Sequence, residues 1–360
     1  MQTQISELNF EGQNLFVGID VHLKSWTVTI LSEKLSHKTF TQPPSAETLY
    51  NYLVRNYPDG IYHSVYEAGF SGFWTHYKLT EMGIKNIVIN AADVPTTQKE
   101  HVLKDDPTDS RKLARSLRSG DLKAIYVPDI LTMEDRSLVR LRATLVKDMT
   151  RFKSRIKSFL NLNGIPYSQV FENSRTHWSR RFIKWLSEGV KFESESGSQT
   201  LQIMLQEAEQ QRMLLLKVTH MIRVMSRSEK YLNPMKLLIS IPGIGFITAI
   251  TFLTEIEKIE RFAGTDHFAS FIGLIPNRRS SGEKENNGEM TFRGQNSLKR
   301  SIIESSWTAA KHDPVLTKCY HEYIKRMEPN KAIIKIARKL LNRIYYVLKH
   351  KTEYVLCVVK

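Results

Sequence analysis

From Asn14 the chain reads NLFVGIDVHLKSWTVTIL: an apolar, β-branched run, a polar break at His22 to Lys24, then alternation through Trp26, Val28 and Ile30. That pattern predicts two strands of a hairpin. A third short strand is predicted at HKTFTQ, and a helix carrying Leu49, Tyr52 and Leu53 after Pro43-Pro44. YHSVYEA reads as a strand ending at Glu67, SGFWTHYKLTEMG as a helix closed by Gly83, and NIVINA as another strand. PTDSRKLARSLRSG follows as a helix with Leu113 and Leu117 four apart, closed by Gly120. Strands first, then strands alternating with helices, make an α/β layer of about 120 residues.

The period changes from Met133. Leu138, Leu141, Leu145, Met149, Phe152, Ile156 and Phe159 mark the seam of one long helix, ended by Asn163-Gly164-Ile165-Pro166. Arg140, Arg142, Lys147, Arg151, Lys153, Arg155 and Lys157 occupy its other faces, either as a solvated surface or as contacts to a nucleic-acid backbone. An amphipathic piece with Trp178, Phe182 and Trp185 is followed by ESESGSQ, which reads as a solvated linker. A second helical seam runs through Leu201, Met204, Leu205, Ala208, Leu215, Val218 and Ile222. Two long helices around an insert predict an antiparallel pair or an oligomerising coil. The last third opens with LLISIPGIGFITAITFLTEI, two helices about a Pro-Gly-x-Gly turn, similar in shape to a helix-hairpin-helix. FASFIGLIPNRRSSGEKENNGEMTFRGQNSLKR has no clear period and reads as a polar loop. The chain closes on a basic amphipathic helix with Ile334, Ala337, Leu341 and Ile344 inward. The expected segments are 1–128, 129–235 and 236–360.

Composition narrows the class. The formal net charge of +15 points to a polyanionic partner. Residues 1–102 carry 7 Lys+Arg against 10 Asp+Glu, a net of −3, whereas residues 278–351 carry 17 against 7, a net of +10. Two cysteines, Cys319 and Cys357, allow neither a disulfide framework nor a cysteine zinc site. No apolar run reaches a membrane span and MQTQISELNF lacks signal-peptide character, so a cytoplasmic protein with no membrane partner is expected.

Candidate chemistry lies in the acidic positions. Asp20 sits between Ile19 and Val21 in an apolar strand, where an ionised carboxylate needs a partner. Glu67 poses the same problem at the end of another strand. Asp106-Pro107-Thr108-Asp109 reads as a helix start, with Asp106 as N-cap, Pro107 at N1 and Asp109 at N3. Asp106 and Asp109, three apart, also face one side. Four carboxylates converging without a cysteine or an obvious histidine suit Mg²⁺ or Mn²⁺ and phosphodiester chemistry.

Taken together, GIDVH, YEA and DDPTDSRKLA resemble the Asp, Glu, Asp, Asp signature of a RuvC-like ribonuclease-H fold. SIPGIGFITAITFLTEI, the RRSSGE run and FRGQNSLKRSIIESSW resemble the second domain of the DEDD-type insertion-sequence transposases, the "IS one-ten" recombinases. NKAIIKIARKLLNRIYYVL is similar to that family's closing helix. The resemblance runs from about Phe16 to Tyr354 and is weakest between Phe171 and Gln199. It implies a RuvC-like domain, a coiled-coil section and a mostly helical serine-bearing domain, in a prokaryotic, nucleoid-associated enzyme. It further implies that Asp20, Glu67, Asp106 and Asp109 bind Mg²⁺ or Mn²⁺. By the same resemblance, the serine before glycine in Arg279-Ser280-Ser281-Gly282, Ser281, attacks DNA to form a phosphoserine link, with Ser280 as the alternative. The implied partners are donor and target DNA, a structured bridge RNA and further copies of the chain, as a tetramer. Asp105 beside Asp106 offers a second register, and the spacing to Asp109 selects Asp106. GEMTFRGQ departs from the family, placing Phe292 and Arg293 where serine and lysine are usual. Two other functions fit the acids: a RuvC-type junction resolvase or nuclease using water without a covalent serine, and a non-catalytic nucleic-acid scaffold.

Overall fold

A computed structural model describes residues 9–95, 105–281 and 284–357; the side chains of residues 278–289 lie outside the described part. The chain forms two compact units, Met1–Val127 and Pro128–Lys360. The first is mixed α/β and the second is largely helical. No described helix is long and apolar enough to cross a membrane.

In the first unit, β1 (Asn14–Val21), β2 (Trp26–Ser32) and β3 (Ser36–Gln42) form an antiparallel meander, while β4 (Ile61–Glu67) and β5 (Lys85–Ile89) add in parallel, in the order β3-β2-β1-β4-β5. β1 is central and covered on both faces. Its odd positions Leu15, Val17 and Ile19 are fully buried in one cluster with Leu49 and Leu53 of α1 (Ala46–Asn56) and Leu79 of α2 (Trp74–Glu81). Its even positions face α3 (Asp106–Ser119). There Gly18 is required: a Cβ on it would stand 2.1 Å from the Ser110 carbonyl oxygen and 2.5 Å from the Ala114 nitrogen. The buried Ser110 hydroxyl is 2.8 Å from that of Thr29, which pairs opposite Gly18, so a polar bond registers the helix on the sheet.

The second unit is built on α4 (Ile130–Leu162) and α5 (Glu195–Met225). They run antiparallel: Arg142 donates to Thr219 Oγ1 at 3.0 Å, Gln211 to the Leu145 carbonyl at 3.3 Å, and Arg155 pairs with Glu207 at 3.5 Å. The serine-rich run expected as a linker is instead the start of α5, with Ser194 accepting from the Gly197 N–H as N-cap. Serine competes for backbone hydrogen bonds and so favours helix starts as readily as loops. Between the two helices, Phe182 is fully buried among Tyr167, Phe171, His177, Trp178 and Trp185.

Several basic residues of α4 have partners within the protein. Arg140 grips the buried Glu255 through two bonds of 2.7 and 2.8 Å, Arg151 pairs with Asp148 at 3.0 Å, and Lys157 bonds His177 Nδ1 at 2.9 Å. Their charges are therefore partly spent on the fold.

α6 (Glu229–Ile239) and α7 (Phe246–Ile256) flank the Pro-Gly-x-Gly turn. Gly243 there has φ +89°, and a Cβ on it would lie 2.4 Å from the Ser305 carbonyl of α9 (Asn296–His312), so close packing accounts for this glycine. α8 (Thr265–Ile272) precedes the stretch expected as a polar loop, which is a two-stranded antiparallel hairpin of β6 (Pro276–Ser281) and β7 (Lys284–Met290). Its base is held by Thr291 N–H to the Ile275 carbonyl at 3.0 Å. α10 (Pro314–Ile324) and α11 (Pro329–His350) complete the unit. The inward stripe of α11 runs through Ile333, Ile336, Ala337, Leu340, Leu341 and Ile344, one position off the expected stripe at Ile334, which is half-buried.

Candidate active site

Alternation along β1 sends Asp20 to the same face as Gly18, beneath the start of α3. Ile19 pairs with Tyr66 in the parallel neighbour, so Asp20 and Glu67 are the next residues along adjacent strands and leave the sheet on one face. Gly18 lets α3 down onto the strand, so that Asp106 of its first turn groups with Asp20 and His22; Glu67 is not part of that group of donor atoms.

The helix start differs from the sequence expectation. Asp105, not Asp106, is the N-cap: its side chain accepts from the Thr108 N–H at 2.8 Å, and this bond holds its carboxyl below the usual range. Pro107 therefore occupies N2 and Asp109 N4. With the neighbouring carboxylate doing the capping, Asp106 is turned toward the strand ends. Asp105 thus takes the capping role expected of Asp106, whose carboxylate lies 3.5 Å from His22 Nε2 instead.

The expectation of no nearby histidine is also corrected. His22 Nε2 lies 3.2 Å from Asp20 Oδ2 and 3.5 Å from Asp106 Oδ1. Asp20, His22 and Asp106 offer ligand atoms that all lie within 4.8 Å of one another. Asp109 flanks them and pairs with Lys112 at 3.7 Å. Burial pushes the Asp20 carboxyl above its usual range; His22 opposes this, while the charges of Asp106 and Asp109 reinforce it. Like charges crowded on a half-buried carboxylate are the electrostatic condition that a bound cation relieves. Oxygen donors of this kind fit a hard divalent ion, so the residues present suit Mg²⁺ or Mn²⁺. Side-chain exposures of 51% for His22 and 55% for Asp106 leave the site open to a large polyanion.

Ser281 ends β6, its backbone paired with Lys284, and Ser280 pairs with Glu285. The side chains of both serines lie outside the described residues, as does Gly282.

Two family models match the chain. One, described as Transposase and of the DEDD IS110 type, covers residues 17–163, and a second, Transposase IS116/IS110/IS902 family, covers residues 235–321. The chain belongs to the IS110 transposase family. Among relatives of this family member, the Sinorhizobium fredii proteins y4qE and y4rJ are 25% and 24% identical. The first match spans 68% of this chain but only 57% of y4qE; the second spans 91% of this chain and 90% of y4rJ. The transposase for insertion sequence element IS1111A of Coxiella burnetii is 21% identical over 76% of this chain and 74% of its own length. The first matched segment spans Asp20, Glu67, Asp106 and Asp109, and the second spans Ser280 and Ser281.

Proposed function

We propose that this transposase-family chain cuts and rejoins DNA with two sets of groups: the acidic quartet Asp20, Glu67, Asp106 and Asp109, and the Ser281 hydroxyl, with Ser280 as the alternative nucleophile. The observation that carries the reading is the meeting of Asp20 and Asp106 beside His22 while Asp105 alone serves the helix cap. An antiparallel meander extended by two parallel strands, with acids leaving adjacent strand ends, supports a RuvC-like ribonuclease-H fold for residues 1–128. The helix pair then forms a coiled-coil section over 129–235, and 236–360 a serine-bearing domain with a helix-hairpin-helix-like turn.

Bound Mg²⁺ or Mn²⁺ would supply charge neutralisation at a DNA phosphate. Asp20, Glu67, Asp106 and Asp109 would hold it. The serine oxygen attacks phosphorus, a serine–phosphate ester forms as one DNA P–O bond breaks, and the serine proton passes to the leaving oxygen. The ester keeps the cut end attached and conserves the bond for rejoining by the reverse reaction. Partner choice is assigned to a structured bridge RNA pairing with donor and target DNA, on a tetramer of the chain.

Asp20→Asn tests the acidic half of this reading. The variant should keep its unfolding midpoint and its nucleic-acid binding while losing strand cleavage, because the carboxylate faces the site and not the apolar core. Normal cleavage by Asp20→Asn would overturn the quartet. Metal-dependent cleavage by wild type with no covalent adduct would assign the chain to the junction-resolvase class instead.

A further inference from the structure

His22 is the first residue beyond β1, and the alternation that turns Asp20 toward α3 turns His22 the same way. Its backbone is fixed, since its N–H donates to the Ser25 carbonyl at 3.1 Å in the turn to β2. Its side chain is half exposed, so packing does not hold the ring; the two carboxylate oxygens at 3.2 and 3.5 Å mark where its Nε2 points. A third donor atom thus stands with those of Asp20 and Asp106, all within 4.8 Å of one another, and it is nitrogen.

We propose that His22 is a ligand of the divalent-ion site and that its nitrogen shifts the site's preference from Mg²⁺ toward Mn²⁺ and other first-row transition ions. The proposal rests on the reading of the carboxylates as a metal site. Mg²⁺ prefers an all-oxygen octahedron, whereas imidazole nitrogen is bound more readily by the later ions of the first transition row. A ring ligating through Nε2 keeps Nδ1–H as a donor for water or a phosphate oxygen. A different role for the same contacts is that of an internal cation, in which imidazolium neutralises Asp20 and Asp106 and is displaced when metal arrives. The two roles predict opposite effects of removing the ring: a ligand strengthens ion binding, and a competing cation weakens it.

Mn²⁺ alone is the probe, followed by electron paramagnetic resonance on the full chain without DNA. Wild type should show coupling of bound Mn²⁺ to one directly attached ¹⁴N, absent in His22→Gln. Mn²⁺ affinity should fall in His22→Gln by at least the roughly tenfold that loss of even an outer-shell partner costs. Mg²⁺ affinity, measured by competition, should change less, so the Mn²⁺ preference narrows. An unchanged unfolding midpoint for His22→Gln, expected for a half-exposed turn residue, keeps the comparison clean. Bound Mn²⁺ without nitrogen coupling, or tighter Mn²⁺ binding by His22→Gln, would overturn the ligand role while leaving the carboxylate site standing. Equal Mn²⁺ binding by wild type and Asp20→Asn, or none by wild type, would overturn both.

Discussion

A methyl group on Gly18 would lie 2.1 Å from the carbonyl oxygen of Ser110, so the first turns of α3 rest directly on strand β1. Two residues further along the strand is Asp20, and one turn back along the helix is Asp106. The close approach of backbone to backbone is what brings the two carboxylates together. Gly18→Ala should therefore act in two ways. Overpacking should cost about 1–3 kcal/mol in denaturant unfolding, and the lifted helix should weaken Mn²⁺ binding more than any change at an exposed residue outside the site. Unchanged Mn²⁺ affinity in a folded Gly18→Ala variant would mean that the site does not depend on this contact.

Asp105 and Asp106 are neighbours with opposite expected phenotypes. Asp105→Ala removes the bond to the Thr108 N–H and should lower the unfolding temperature while leaving metal affinity nearly intact. Asp106→Asn should do the reverse. Thermal unfolding and Mn²⁺ titration of the same two proteins check this, and swapped phenotypes would restore Asp106 as the cap.

Much of this architecture was legible in the sequence because its signals are strong where the core is. The run through Leu15, Val17 and Ile19, the alternation of β2 and the apolar seam of α5 carry the period of their element; the α4 seam does so less fully, with Leu141 exposed while Val139 and Leu160 are buried. What was not legible has physical causes. Two adjacent aspartates can each cap a helix, and proline is tolerated at either of the first two positions, so the Asp105/Asp106 doublet is ambiguous until the Thr108 bond is seen. β6 and β7 are built from PNRRSS and KENNGEM, with none of the β-branched alternation that marks a half-buried strand. His22 sits in a polar break that looks like an ordinary turn; only its spacing of two from Asp20 on a strand end hinted that it shared a face with that carboxylate.

Asp129 offers a pH test of a helix cap in the second unit. It caps α4 by accepting from the Thr132 N–H at 2.6 Å. Burial pushes its carboxyl up, but the Thr132 bonds, Glu257 and the Lys230 charge outweigh this and bring it down to about 2. A depressed folded value means a stabilising charge above the unfolded value near 4 that is lost as pH falls toward 2. Asp129→Asn keeps a capping oxygen without the charge, so it should be less stable than wild type at pH 6, with the gap closing between about pH 4 and pH 2. A gap independent of pH would remove the charge from the account.

Nucleic-acid affinity should fall steeply with salt, and the basic stretch over residues 278–351, net +10, should carry more of that slope than α4. Neutralising six to ten phosphates would cost about 10³–10⁵ in affinity between roughly 50 and 200 mM salt. Filter binding of structured RNA and of random duplex DNA across that range measures it, with RNA expected to compete effectively. A flat response would make these charges a solvated surface.

If the carboxylates and a serine share one reaction, the DNA end passes through a covalent serine–phosphate intermediate. A suicide DNA substrate that cannot religate, incubated with the chain, a structured bridge RNA and Mg²⁺, should leave a protein–DNA adduct that peptide mass spectrometry maps to Ser281. Ser281→Ala should lose the adduct and recombination while still binding Mn²⁺ and nucleic acid; an adduct on Ser280 would move the nucleophile by one residue. Full recombination by the Ser280→Ala, Ser281→Ala double variant would contradict the serine mechanism.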